Sequence, residues 1–127
     1  MAAERAHKEI KVDDCVRMSR RARAVVLTLD RPKGRNALTL GMVRSLQVAL
    51  DHAVADAGVE RIVVRSAAPG TFSAGGDIRA VRELVLAGCL EVAMKFFKEE
   101  FSLNHAIASC PKPIVALVDG VCMPLRF

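Results

Sequence analysis

Apolar residues run along this chain in two rhythms. Short runs at "AVVLTL" (Ala24–Leu29), "RIVVRS" (Arg61–Ser66) and "IVALV" (residues 114–118) are β-branched and bounded by breakers. Each predicts a core strand. Between the runs the spacing becomes helical. From Thr39, whose hydroxyl suits an N-cap, Leu40, Val43, Leu46, Leu50 and Val54 recur until Gly58 stops the pattern. Asp77 is placed to cap a second helix with the stripe Ile78, Val81, Leu84 and Val85, interrupted by Gly88. A third helix over residues 91–108 presents Val92, Phe96, Leu103 and Ile107 on one face, and Pro111 and Pro113 end it. Strand, helix, strand, helix, helix, strand predicts an α/β unit: a parallel sheet with flanking helices. Residues 1–9 read as a flexible arm, residues 10–123 as one domain part, and residues 124–127 as an aberrant end.

The net charge of +5 is unevenly placed: residues 1–35 hold ten of the 19 Lys and Arg and five of the 14 Asp and Glu, leaving nine of each for the remainder. The excess sits around "RMSRRARA", residues 17–24. A solvated edge strand accounts for it; a nucleotide phosphate or a nucleic acid is the alternative. The chain has no Trp or Tyr, and no aromatic interleaves those arginines, so base stacking is disfavoured and no nucleic-acid partner is expected. Cys15, Cys89, Cys110 and Cys122 are too widely spaced for a structural zinc site, so no metal is expected and reduced thiols are. No apolar run approaches the ~20 residues of a membrane span, so no membrane partner is expected. Glu4, Glu9, Asp13 and Asp14 weaken a transit-peptide reading of the Arg-rich start.

The candidate chemistry lies in "PGTFSAGGDIRAV" (residues 69–81), which spends three of the chain's eight glycines on a strand-to-helix junction. The stretch has neither GxSxG nor GxGxxG spacing, and no Lys-Ser/Thr pair follows as in a P-loop. What remains is a turn through Ala74-Gly75-Gly76 into a helix N-terminus, where N–H groups lack partners and the helix dipole is positive. An ordinary capped turn is one reading. Half of an oxyanion hole, with the Gly76 N–H as donor, is the other.

Three stretches, "LTLDRPKGRNALTLGMV", "GTFSAGGDI" and "KPIVALVDGVCM", resemble in order and spacing the crotonase superfamily, the enoyl-CoA hydratase/isomerase fold. The segment "FFKEEFSLNHAIASCPKP" is most similar to its 3-hydroxyisobutyryl-CoA hydrolase group, which hydrolyses a β-hydroxyacyl-CoA thioester in valine breakdown. The resemblance implies the N-terminal part of a crotonase-like ββα superhelix, incomplete at the C-terminal side. It implies that Gly76 donates to the thioester oxygen and that Gly34, Arg35, Asn36, Ala74, Gly75 and Ile78 line the coenzyme A cleft. Glu100, or its neighbour Glu99, with Asp77 would contact the substrate. No cofactor is implied, coenzyme A being part of the substrate. A mitochondrial location is implied, with peroxisome or cytoplasm as alternatives, and a homo-oligomer for the full-length family member. The family continues such a strand with a glycine triplet that carries the second donor, where this chain has Pro124, which has no N–H. The sequence thus reads as a truncated chain, expected to be inactive by itself. An enoyl-CoA hydratase/isomerase and a non-catalytic CoA-binding fragment are the alternatives. His52 and His105, on helices, are expected to have surface or packing roles.

Overall fold

A computed structural model describes residues 9–13 and 15–123. The assignments for residues 1–8 and 124–127 lie outside the described residues; Glu9, expected in the arm, begins a strand. In chain order the elements are β1 (Glu9–Lys11), β2 (Val16–Arg21), β3 (Ala24–Leu29), a 3₁₀ turn (Pro32–Gly34), α1 (Leu40–Ala55), β4 (Arg61–Ser66), β5 (Thr71–Ser73), α2 (Ile78–Leu86), α3 (Leu90–Ala108), β6 (Ile114–Ala116) and β7 (Val121–Cys122).

The main sheet has the order β1-β2-β3-β4-β6. It is mixed where a parallel sheet was expected. β3, β4 and β6 run parallel, but the basic stretch pairs antiparallel, as β2, with β3. Three of the four arginines of β2 and its turn find acidic partners within the fold, and Arg21 is exposed. Arg17 pairs with Glu9 and Asp30, Arg20 with Asp56 at 2.7 Å, and Arg23 with Glu60 at 2.8 Å. β2 is not the expected edge strand, since it is paired on both sides, by β1 and β3; the ion pairs nonetheless account for most of its charge without an anionic partner.

β3 lies between two strands and is buried along its whole length. Its Val25, Leu27 and Leu29 join Ile62 and Val64 of β4 and the apolar face of α1 in one core. Thr39 caps α1, its Oγ1 accepting from the Met42 N–H at 3.1 Å. The buried face of that helix is Met42, Val43, Leu46, Ala49, Leu50 and Ala53, while the expected Leu40 and Val54 are half-buried at its margins. α3 packs across α1 and buries Ala93, Phe96 and Leu103. Val92, placed on that face by its spacing, is exposed instead, since a stripe at 93, 96, 100, 103 and 107 follows the contact more closely.

Two further expectations fail for one reason. The run at residues 114–118 forms only a three-residue strand at the edge of the sheet, with Val115, Leu117 and Val118 exposed. The stripe of α2 contains no buried residue, and Ile78 is 77% exposed. Both patterns have the period of a packed element, but among the described residues these faces are covered only in part, Val81, Ile114 and Ala116 reaching the margin of the core. Among the described residues no helix is long and apolar enough to cross a membrane.

Candidate functional site

The glycine turn is held from one side by Leu38. The Leu38 N–H donates to the Gly75 carbonyl at 2.7 Å, and the Asp77 N–H donates to the Leu38 carbonyl at 3.0 Å. These two bonds bracket Gly76 as in a parallel ladder, so the Gly76 peptide groups turn to the opposite side. The Gly76 N–H has no partner among the described residues. Gly75, at φ +85°, takes a conformation that favours glycine. At Gly76 the constraint is milder: a Cβ there would stand 2.9 Å from Glu100 Oε1 and 3.2 Å from Oε2, so the flexible end of that side chain would have to shift.

Two clefts meet at this residue. The larger, about 900 Å³, is walled by the 3₁₀ turn and the start of α2, including Gly34, Arg35, Ala74, Gly76 and Ile78. Its charged lining is Arg31, Lys33, Arg35 and Arg79 against Asp77 and Glu83, a net positive surface. The smaller, about 280 Å³, is shared between the turn (Ala74 to Ile78) and Val81, Phe96, Phe97, Glu100, Phe101 and Met123.

Glu100 occupies the inward stripe of α3 between Phe96 and Leu103, where the period calls for an apolar side chain. Its carboxylate accepts no hydrogen bond among the described residues, and burial alone pushes its pKa above the ordinary carboxylate value. A half-buried acid in an otherwise apolar seam is a departure with a stability cost, the pattern of a group kept for binding or chemistry.

Other candidates have structural occupations. Asn36 does not line the cleft. It is completely buried at φ +53°, its Nδ2 donating to Ser66 Oγ at 2.7 Å and to the Phe72 carbonyl at 3.0 Å, while its Oδ1 accepts from the Arg31 N–H at 2.8 Å. It ties the 3₁₀ turn to β5. Gly75 borders the smaller cleft rather than the larger. Asp77 touches both clefts, but one oxygen caps α2 through the Ala80 N–H at 3.1 Å and the other pairs with Arg31 at 3.2 Å. Glu99 turns away from Glu100 and receives Arg44 Nε and Nη2 at 2.8 and 3.0 Å. That guanidinium holds the Glu99 carboxyl below its usual range. His52 and His105 are exposed on α1 and α3.

A sequence model of the enoyl-CoA hydratase/isomerase family matches residues 24–124. The chain belongs to that family. Within it, the chain is 44% identical over 108 residues to the rat mitochondrial 3-hydroxyisobutyryl-CoA hydrolase, covering 85% of this chain and 28% of the rat protein. The human mitochondrial enzyme of the same name is 44% identical over 98 residues, covering 77% of this chain and 25% of that one. This family member therefore spans little more than a quarter of the curated relatives it matches. Among solved structures it resembles an enoyl-CoA hydratase from Rhodobacter sphaeroides, with a TM-score of 0.77 and 38% identity over 83% of this chain and 31% of that one. An enoyl-CoA hydratase/isomerase from Xanthobacter autotrophicus has a TM-score of 0.72 and 31% identity, over 84% and 39% of the two chains. These likenesses establish the crotonase fold expected from the three motifs.

Sequence reasoning missed Arg31 and Arg44, the cations that occupy Asp77 and Glu99, and Arg79 of the larger cleft. Arg31 stands inside the quoted "DRPKGRN" and could have been flagged as a loop clamp. For Arg44, on the second turn of an ordinary amphipathic helix, no local signal existed.

Proposed function

We propose that this chain supplies the carbonyl-binding and coenzyme A-binding part of a crotonase-type acyl-CoA thioester hydrolase acting on 3-hydroxyisobutyryl-CoA. The observation that carries the reading is the partnerless Gly76 N–H at the junction of two clefts. Coenzyme A lies in the basic cleft, its phosphates near Lys33, Arg35 and Arg79. The acyl group enters the smaller pocket. At the junction the thioester oxygen accepts from Gly76, so charge built up as water adds to the carbonyl carbon and the C–S bond breaks is met by a fixed dipole. One such donor lowers the barrier by about 2.7–4 kcal/mol. Glu100 accepts from the substrate hydroxyl, which gives the buried carboxylate the partner it otherwise lacks. No metal or cofactor takes part in this reading, a mitochondrial location follows the names of the relatives, and a homo-oligomer is the proposed assembly.

Two arms test the reading. Calorimetric titration of this chain with coenzyme A should give heat, weakened by added salt and by Arg35→Ala. In a chimera where residues 24–123 replace the aligned segment of the rat hydrolase, free thiol should be released from 3-hydroxyisobutyryl-CoA. Gly76→Pro, which deletes the N–H, should lower that rate by about 10²–10³. A folded chimera that releases no thiol but removes the enoyl absorbance of crotonyl-CoA would replace the hydrolase with a hydratase.

A further inference from the structure

Each residue at the heart of this site has an immediate neighbour locked by an arginine. Next to Gly76, Asp77 is held by Arg31. Next to Glu100, Glu99 is held by Arg44 through two hydrogen bonds of 2.8 and 3.0 Å. The second lock joins α1 to α3 and is the only hydrogen-bonded link between those helices among the described residues.

The neighbouring packing does not make this link redundant. Ala93, Phe96 and Leu103 bury one stripe of α3, but the flanks of that stripe carry exposed apolar residues, Phe101 at 65% and Met94 at 59%. Burial of that stripe sets the rotation of α3 broadly, and the exposed flanks leave a small turn about it unopposed by packing. A bidentate guanidinium–carboxylate contact is directional. Adjacent helical residues point about 100° apart, so fixing Glu99 toward α1 fixes where Glu100 points. That direction matters at the scale of one bond, because Glu100 Oε1 lies just 2.9 Å from where a Gly76 Cβ would be.

We propose that Arg44 and Glu99 are a positioning pair: they set the rotation of α3 that places the Glu100 carboxylate beside the Gly76 amide, and thereby the preference for hydroxylated acyl groups. This rests on the function proposed above for Glu100. Neither residue touches the substrate. The burial of Glu100 supports the assignment, since burial alone raises its pKa and that burial depends on how α3 is turned.

The test uses the whole chain and two non-hydrolysable ketone analogues, with CH₂ in place of the sulfur, of 3-hydroxyisobutyryl-CoA and isobutyryl-CoA. Their affinity ratio reads the hydroxyl preference alone. In Arg44→Ala and Glu99→Gln the ratio should fall by about threefold, the scale of a solvent-exposed ion pair, while affinity for the deoxy analogue stays unchanged. The swapped double variant R44E/E99R should recover most of the preference, and Arg44→Lys, charged but unable to chelate, should fall between. Equal weakening of both analogues, or a swap no better than the single variants, would overturn the proposal. A second readout needs no ligand: the Glu100 carboxyl titration followed by ¹³C NMR. In Arg44→Ala its pKa should drop toward the ordinary carboxylate range as the side chain becomes solvated; an unchanged titration refutes the positioning role. Should the native chain bind neither analogue while the Glu100 titration responds to Arg44, the function is wrong and the positioning stands.

Discussion

Replacing Asn36 by alanine tests the clamp beneath the candidate site. Three side-chain hydrogen bonds would be lost: two donated, to Ser66 Oγ and the Phe72 carbonyl, and one accepted from the Arg31 N–H. At a net value of about 1 kcal/mol each they sum to about 3 kcal/mol. Position 36 also has φ +53°, which asparagine tolerates and alanine adopts at a cost of about 1 kcal/mol or more. The expected loss for Asn36→Ala is therefore about 4 kcal/mol, large against the 5–15 kcal/mol typical of whole domains. Asn36→Gly loses the same bonds without the backbone strain, so it should be the milder change, at about 3 kcal/mol. Urea titrations followed by far-ultraviolet circular dichroism measure both, with an unchanged m-value confirming comparable transitions. Coenzyme A affinity should fall modestly in both variants, because the turn carrying Lys33 and Arg35 then holds to β5 only through the Ser73 hydroxyl on the residue 36 carbonyl and the Ala74 N–H on the Arg35 carbonyl. An alanine variant destabilised by under about 1 kcal/mol, or a glycine variant less stable than the alanine one, would refute the reasoning.

Glu100→Gln should change stability with pH. Because the folded carboxyl has a raised pKa, its contribution is complete below the unfolded value of about 4.3 and is lost as pH rises through the folded value. The Tm of E100Q should thus gain on the native chain between pH 4 and pH 8; calorimetric scans showing a constant or shrinking difference would contradict this. Gly76→Ala keeps the N–H but sets a Cβ against the mobile end of Glu100. It should leave Tm nearly unchanged and weaken the hydroxylated analogue by about tenfold over the deoxy one, as read by titration. Thr39→Ala removes the cap of α1 and should cost about 1 kcal/mol in a urea titration, with no change in ligand preference.

Much of the fold was legible because local rules and tertiary structure agree for its central elements. The run Ala24–Leu29 is a strand buried at every position, and the stripe begun at Thr39 is a helix facing it. Agreement ends where pattern and environment diverge. Ile78, Val115 and Leu117 have the period of packed elements, yet periodicity describes only a face and says nothing of what meets it. The antiparallel β2 was obscured by its arginines, whose partners Asp56 and Glu60 lie some 36 residues along the chain.

For the site, the residues alone specified the loop: its glycines, the aspartate able to cap a helix, and the order of motifs that marks the family. These are properties of one short stretch and its backbone, so they can be read locally. The division of labour between Glu99 and Glu100 could not be. Both are charged residues on one helix, and only the placement of α3 against α1 and the glycine turn gives one an arginine and the other an amide's neighbourhood. Asn36, grouped with the cleft by its sequence neighbours, was carried into the interior because its hydrogen-bond partners come from β4 and β5. Chain order sets which groups are available. Folding decides which of them lose water, and there a hydrogen bond or its absence determines a side chain's role.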